Sequence, residues 1–221
     1  MVKIRVWDLP TRLFHGALAL AVFGLIVTGQ VGGDAMVWHF RFGYAVFTLL
    51  LFRLIWGFVG GHWSRWRQLP LSLQSLKSYW QGLHDTKLTT GHNPAGSWSV
   101  LAMLCWLALQ VSTGLVSDDE IANAGPLTAL VSGAAVSAAT AWHKGLGKFT
   151  LLALVLLHVG AVLWYKLRKQ QNLAATMLHG DKMVDGNEPA SRDDLGTRLL
   201  ACVVLLLCAL AVRWVVDLGM A

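Results

Sequence analysis

Charge is the scarce ingredient of this chain. Asp, Glu, Lys and Arg make up 14% of its 221 residues, against 55% for hydrophobic residues, where an average globular domain carries about 25% charged residues. That shortage excludes an ordinary soluble protein, because the apolar content also comes in blocks rather than spread along the chain. Cysteine is scarce as well. Cys105, Cys202 and Cys208 are the only three, all lie inside apolar stretches and none belongs to a C-x-x-C-H motif. Covalent haem attachment of the c type is thereby excluded on its usual motif, and the thiols read as small hydrophobes. The first apolar block has no A-x-A-like cleavage site after it, so it reads as a retained helix and not as a secretory leader.

What is present in abundance is long apolar sequence. A bilayer-spanning helix needs roughly 20 predominantly apolar residues, and five blocks qualify, at about 13–31, 39–59, 98–116, 143–164 and 198–216. Together they predict an all-α integral membrane helical bundle. The net charge of +6 sits where a membrane protein keeps it. Lys3, Arg5 and Arg12 precede the first span; Arg65, Arg67, Lys77 and Lys87 fill the connection after the second; Lys166, Arg168 and Lys169 follow the fourth. All three clusters fall on one side, and the connection between spans three and four carries Asp118, Asp119 and Glu120 instead. The positive-inside rule then predicts a multi-pass membrane protein with a cytoplasmic N-terminus and, after five crossings, a C-terminus on the opposite side. It also removes nucleic acid from the expected partners and leaves membrane lipid among them.

Eleven tryptophans are many for this length, and Trp7, Trp38, Trp63, Trp66, Trp142, Trp164 and Trp214 fall at or near expected span ends. They read as an aromatic belt. Within the connection 60–97, Leu69, Leu73, Leu76, Trp80 and Leu83 recur at helical spacing, which predicts a short interfacial helix.

The histidines carry the chemistry. An ionisable residue inside a span is costly and marks a functional site by default, and four of the eight, His15, His39, His143 and His158, lie at or inside spans. His62, His84, His92 and His179 lie in polar connections and need no special explanation. His143 and His158 are 15 residues apart, roughly 22 Å along a helix at about 1.5 Å per residue, so they cannot share one site. Their azimuths nevertheless differ by only about 60°, so both can face one bundle interior. Depth then pairs His39 with His143 on the outer side and His15 with His158 toward the inner side. No carboxylate or thiolate stands at either level to complete a zinc or di-iron site. Two trans imidazoles instead suit a haem iron whose axial positions are both filled, an arrangement for electron transfer. His39 and His143 each open a W-H-x-x-x-G pattern, with Gly43 and Gly147 one turn further on, where a missing side chain leaves room for a porphyrin or for close helix packing. Arg53, late in the second span, is either a candidate to pair with a haem propionate or an arginine snorkelling to the headgroups, and Arg12, Arg41 and Lys144, which flank the proposed ligands, are weaker candidates for the same pairing. His92 and Asn93, in the GHNPAG turn, are candidates to lie near a cytoplasmic-side quinone, but Asn-Pro also marks a helix start, and turn chemistry is the preferred reason for them.

Taken jointly, VWDLPTRLFHG, HFRFGYAVFTLLLFRLIWGFVG, GHNPAGSWSVLAMLCWLALQVSTGL, HKGLGKFTLLALVLLHVGAV and QNLAATMLHG resemble the bacterial cytochrome b561 family, whose cousins include the cytochrome b subunits of nickel-iron hydrogenases. The resemblance covers roughly residues 5–180. It implies a four-helix core holding two b-type haems in the bacterial inner membrane, with the C-terminus on the periplasmic side, and its ligands carry over to His15, His39, His143 and His158. The one departure is Gly16 after His15, where the family usually has an aromatic residue; it bears on packing above the inner haem and leaves ligation untouched.

These readings define the expectations. Residues 1–180 form the di-haem four-helix domain, and 181–221 a polar linker and a fifth transmembrane helix with a packing or partner role. The leading functional reading is transmembrane electron transfer between the membrane quinone pool and a periplasmic redox partner such as a c-type cytochrome, with quinol/quinone oxidoreductase activity and a bound quinone left open. The alternatives are a membrane-anchor cytochrome b of a larger, hydrogenase-like oxidoreductase and a haem-free proton-coupled transporter.

Overall fold

The computed structural model describes residues 1–82, 90–184 and 186–219. In chain order the regular elements are strand β1 (Val2–Arg5), helices α1 (Leu9–Val31), α2 (Met36–Val59), α3 (Leu73–Trp80), α4 (Pro94–Leu115), α5 (Gly133–Trp142), α6 (Lys148–Arg168) and α7 (Leu173–His179), strand β2 (Asp181–Val184) and helix α8 (Leu195–Leu218). Among the described residues, five helical stretches are long and apolar enough to cross a bilayer: Leu9–Val31, Gly33–Val59, Pro94–Leu115, Gly133–Arg168 and Leu195–Leu218. The chain is an all-α multi-pass membrane protein with one small sheet. Leucines such as Leu20, Leu156 and Leu206 stand exposed along these helices, as side chains do whose solvent is lipid rather than water.

The helices begin earlier than hydrophobicity alone suggests, because polar caps start them. Asp8 Oδ1 accepts the Thr11 amide at 2.7 Å, Asn93 Oδ1 that of Gly96 at 2.7 Å, Ser132 Oγ that of Ala135 at 3.3 Å and Asp194 Oδ1 that of Thr197 at 2.7 Å. Each side chain satisfies an amide that the first helical turn leaves without a partner. The fourth span shows the largest difference from expectation. It starts at Gly133, and α5 runs into α6 through a π-turn over His143–Gly147 in which Gly145 leaves helical geometry (φ −98°, ψ −115°).

The chain divides into two compact units. The first comprises Met1–His15, Arg53–Ala102 and Leu157–Val204, and every described residue of the three basic clusters belongs to it. Here β1 pairs antiparallel with β2, with Val2 opposite Val184 and Arg5 opposite Asp181. Val6, Trp7 and Trp63 form its buried core with Ile4 and Met177 against them. Trp7 and Trp63 are therefore core residues and not belt anchors; the Trp63 indole donates to Pro189 O at 2.8 Å. The expected linker after 180 is built into this unit. Ser191 donates to Val6 O at 2.6 Å, and Asp193 accepts from Arg5 Nη1 at 2.8 Å and from the Leu9 amide at 3.1 Å. The expected interfacial helix is α3, capped by Ser72 and exposing Leu73 and Trp80; Leu69 lies before it in a short turn, and Leu83, like His84 and Lys87, lies outside the described residues.

The second unit comprises Gly16–Phe52, Met103–Leu156 and Leu205–Ala221, the last described as far as residue 219. Ala21, Val22, Val46, Leu107 and Leu151 form its core, flanked by Leu18, Phe42 and Trp106. Gly24 permits a close approach in it, since a Cβ there would lie 2.6 Å from the Phe42 ring. The acidic connection belongs to this unit. Asp119 accepts the Asn123 side chain and the amides of Ile121, Ala122 and Asn123, which hold its carboxyl well below the usual carboxylate range.

Candidate haem-ligating histidine pairs

Each unit brings together one of the histidine pairs expected from depth. In the first unit, His15 on α1 and His158 on α6 face each other with ring centres 6.3 Å apart and planes 48° from parallel. In the second, His39 on α2 meets His143 at the start of the π-turn, with ring centres 6.2 Å apart and planes 84° from parallel. Among the described residues no group of three or more His, Cys, Asp or Glu side chains converges to hold a metal ion, so each pair offers two donors only.

Two donors at that spacing fit a haem. A metal–imidazole bond of about 2 Å on each side, with each ring centre about 1 Å behind its nitrogen, puts two trans imidazole centres about 6 Å apart around one iron. Both observed separations match this distance. Iron coordinated by a porphyrin needs no further protein donor, whereas a zinc site would need more ligands than either pair supplies.

Around His39 and His143 the ring orientation is held by hydrogen bonds. His39 Nδ1 lies 3.1 Å from Leu25 O, and His143 Nδ1 lies 2.9 Å from Gln110 O. A carbonyl oxygen can only accept, so both rings carry their proton on Nδ1, which leaves each Nε2 lone pair free for iron. Thr28 Oγ1 stands 3.3 Å from the His39 nitrogen and Thr113 Oγ1 stands 3.4 Å from that of His143. Each ring rests on a glycine. A Cβ at Gly29 would lie 3.1 Å from His39 Cε1, and one at Gly114 would lie 2.8 Å from His143 Cε1. The π-turn is tied down as well: Gln110 Nε2 donates to His143 O at 2.8 Å and Trp106 Nε1 to Gly147 O at 2.9 Å.

The glycines of the W-H-x-x-x-G patterns divide. A Cβ at Gly43 would meet nothing within 4 Å, whereas one at Gly147 would meet Gln110 Oε1 at 2.2 Å and Trp142 Nε1 at 2.7 Å. The space over Gly147 is filled by protein, so close packing at the π-turn accounts for it. Lys144 is exposed, and Arg41 stacks over Trp38 at 4.8 Å.

Arg53, Arg12 and His92 lie in the same unit as His15 and His158. Arg53 is 5% exposed, stacks on Trp66 at 4.0 Å, and its Nη1 is buried with no hydrogen-bond partner, which suits an anion. Arg12 donates Nη1 to Leu178 O at 2.7 Å, so part of its donor capacity is spent on the backbone; its Nε is buried without a partner. His92 packs against Trp7 with ring centres 4.7 Å apart. Burial first, then the charge of Arg53, pushes the His92 imidazole down to about 3, with His15, His158 and Lys182 in the same electrostatic neighbourhood. Asn93 caps α4 and also donates to Tyr165 Oη at 3.0 Å; the GHNPAG turn thus has its structural role.

Several site-supporting residues escaped the sequence reading. The Thr-Gly steps in IVTGQ and VSTGL are a visible repeat, yet only the fold shows that each seats an imidazole. Asp8 stood inside the VWDLPTRLFHG motif, but its role as a buried knot comes from partners 48 and 53 residues away.

Comparison with known proteins gives the family of the chain. The family model described as prokaryotic cytochrome b561 matches residues 6–180. A protein of Azotobacter chroococcum mcd 1 named probable Ni/Fe-hydrogenase B-type cytochrome subunit is 28% identical over 224 residues, covering 84% of this chain and 91% of its own length. Its namesake in Azotobacter vinelandii is 28% identical with the same coverage, and the probable Ni/Fe-hydrogenase 1 B-type cytochrome subunit of Escherichia coli (strain K12) is 25% identical over 81% of this chain and 91% of its own length. No solved structure matches. A multi-pass helical membrane protein with haem b as its cofactor and electron transfer as its task, this chain belongs to the prokaryotic cytochrome b561 family.

Proposed function

We propose that this chain is the membrane cytochrome b subunit of a larger oxidoreductase of hydrogenase type, moving electrons through two bis-histidine haems between a periplasmic redox subunit and membrane quinone. The observation that carries it is the pair of facing imidazoles in each unit, at 6.2 and 6.3 Å between ring centres. The names of the relatives favour an anchor subunit over the free-standing carrier expected first.

Haem b supplies one-electron Fe(III)/Fe(II) chemistry when bound. The chain's own residues do the rest. His15 with His158, and His39 with His143, would hold one haem each and, by supplying two imidazoles apiece, would favour electron transfer over oxygen binding. The carbonyls of Leu25 and Gln110 hold the second pair in one tautomer. Arg53 offers a buried cationic nitrogen to a propionate, Gly43 an open face over α2, and the apolar helices exclude water from both sites. The basic clusters support a cytoplasmic N-terminus, and the acidic connection supports a periplasmic side for the loop between spans three and four.

Haem quantification by pyridine haemochrome tests the reading. Two haems per chain are expected in the wild type, and one in His143→Ala with the other spared. Loss of both from a folded His143→Ala variant would refute the pair assignment. Co-purification with a large redox subunit separates the anchor from a free-standing carrier, and absence of a Soret band would return the reading to a haem-free transporter.

A further inference from the structure

The two sites differ in how their imidazoles are held. On α1 and α4 the same local device recurs around the second pair. In each, a threonine hydroxyl donates to the carbonyl four residues back, Thr28 to Gly24 at 2.6 Å and Thr113 to Leu109 at 2.9 Å. The carbonyl three residues back takes the histidine Nδ1–H, the hydroxyl stands beside it as a second acceptor, and the following glycine leaves room for the ring. Among the described residues neither His15 nor His158 has a hydrogen bond on its ring.

That asymmetry has a redox consequence. An Nδ1–H shared with a neutral carbonyl makes the imidazole a more basic ligand, and a more basic axial ligand favours ferric over ferrous iron. Fixed charge does not cancel the difference in kind, since Arg53 serves the neighbourhood of the first pair and Lys144 that of the second. We propose that the steps Thr28-Gly29 and Thr113-Gly114 position the axial ligands of the haem on His39 and His143, and that they hold its reduction potential below that of the haem on His15 and His158. An electron shared between the two haems then resides on the one held by His15 and His158. This rests on the ligand assignment proposed above.

The test is a redox titration of the purified cytochrome followed by its haem absorbance, in the wild type and in three variants. Two potentials are expected in the wild type. His39→Ala is expected to lose one low-spin haem, and the potential that remains is expected to be the higher. If the lower one remains, the inference is overturned while the ligand assignment stands; if both low-spin haems persist, the ligand assignment falls and this inference with it. The isosteric double variant Thr28→Val, Thr113→Val removes only the hydroxyl acceptors and retains both haems. It is expected to raise the lower potential by up to about tenfold in the one-electron equilibrium constant, about 59 mV, and leave the other unmoved. Two unchanged potentials there would overturn the inference. Gly114→Ala pushes a methyl against the His143 ring and is expected to raise the same potential further or release that haem alone; release of the other haem would count against the proposal.

Discussion

Removing the Asp8 carboxylate should unhinge the first unit. Asp8 is fully buried; Oδ1 accepts the Thr11 amide at 2.7 Å and the Trp56 indole at 3.3 Å, and Oδ2 accepts the Gly61 amide at 2.9 Å and the Ser64 hydroxyl at 2.9 Å. Asp8→Ala strands the Thr11 and Gly61 amides, while Ser64 keeps its bond to Thr11 Oγ1 at 2.7 Å. A buried donor left without a partner costs about 1–3 kcal/mol, and the Trp56 bond is long and therefore weak. The two backbone amides dominate, so the loss comes to roughly 3–5 kcal/mol with the lost helix cap included. For a chain of this size that lowers the melting temperature by roughly 10 °C, read in detergent from tryptophan fluorescence and from loss of the Soret band. Asp8→Asn keeps the acceptor at Oδ1, and the Ser64 hydroxyl can turn to accept from the new amide, so only the Gly61 N–H is stranded and the loss is about half as large. Asp8→Ala melting within about 2 °C of the wild type would show that the carboxylate is not the knot the geometry describes.

Gly61→Ala is expected to destabilise through the same knot, since its Cβ would lie 2.3 Å from Asp8 Oδ2; in a double-variant cycle its effect on melting should be far less than additive with Asp8→Ala. Gln110→Leu removes the donor to His143 O and should cost about 1 kcal/mol, measured as faster release of one haem on mild heating with the second unaffected. Arg5→Ala breaks contacts to Asp181 at 2.6 Å and Asp193 at 2.8 Å; as Arg5 is partly exposed, roughly 1 kcal/mol is expected, with faster proteolysis between β2 and α8 and a smaller difference at high salt. Arg53→Gln should weaken retention of the haem on His15 and His158 and leave the other unchanged, as read by haem content after gel filtration.

Much of this protein was legible in its sequence because a bilayer imposes a simple grammar. Apolar length specifies spans, basic clusters sort the connections, and a histidine inside a span stands out against an environment that disfavours it. The four ligand candidates and their pairing followed from depth and helical rise, and both pairs meet in the fold. Boundaries were less legible, since polar caps such as Asp8, Asn93 and Ser132 start helices ahead of their apolar blocks. The π-turn at His143–Gly147 could not be read at all: its freed carbonyls are stable only because Gln110 and Trp106, from a different helix, donate to them. The same holds for the segment 181–194, polar enough to read as a linker, which pairs with β1 and caps α1 through residues more than 170 positions away in sequence. The sequence by itself thus determined the solvent, the spans and the candidate ligands, because those depend on the character of single residues and their spacing along one helix. Tertiary structure alone decided how the imidazoles face one another and which carbonyls fix the protons of His39 and His143, because hydrogen bonds between distant segments exist only once the helices have packed.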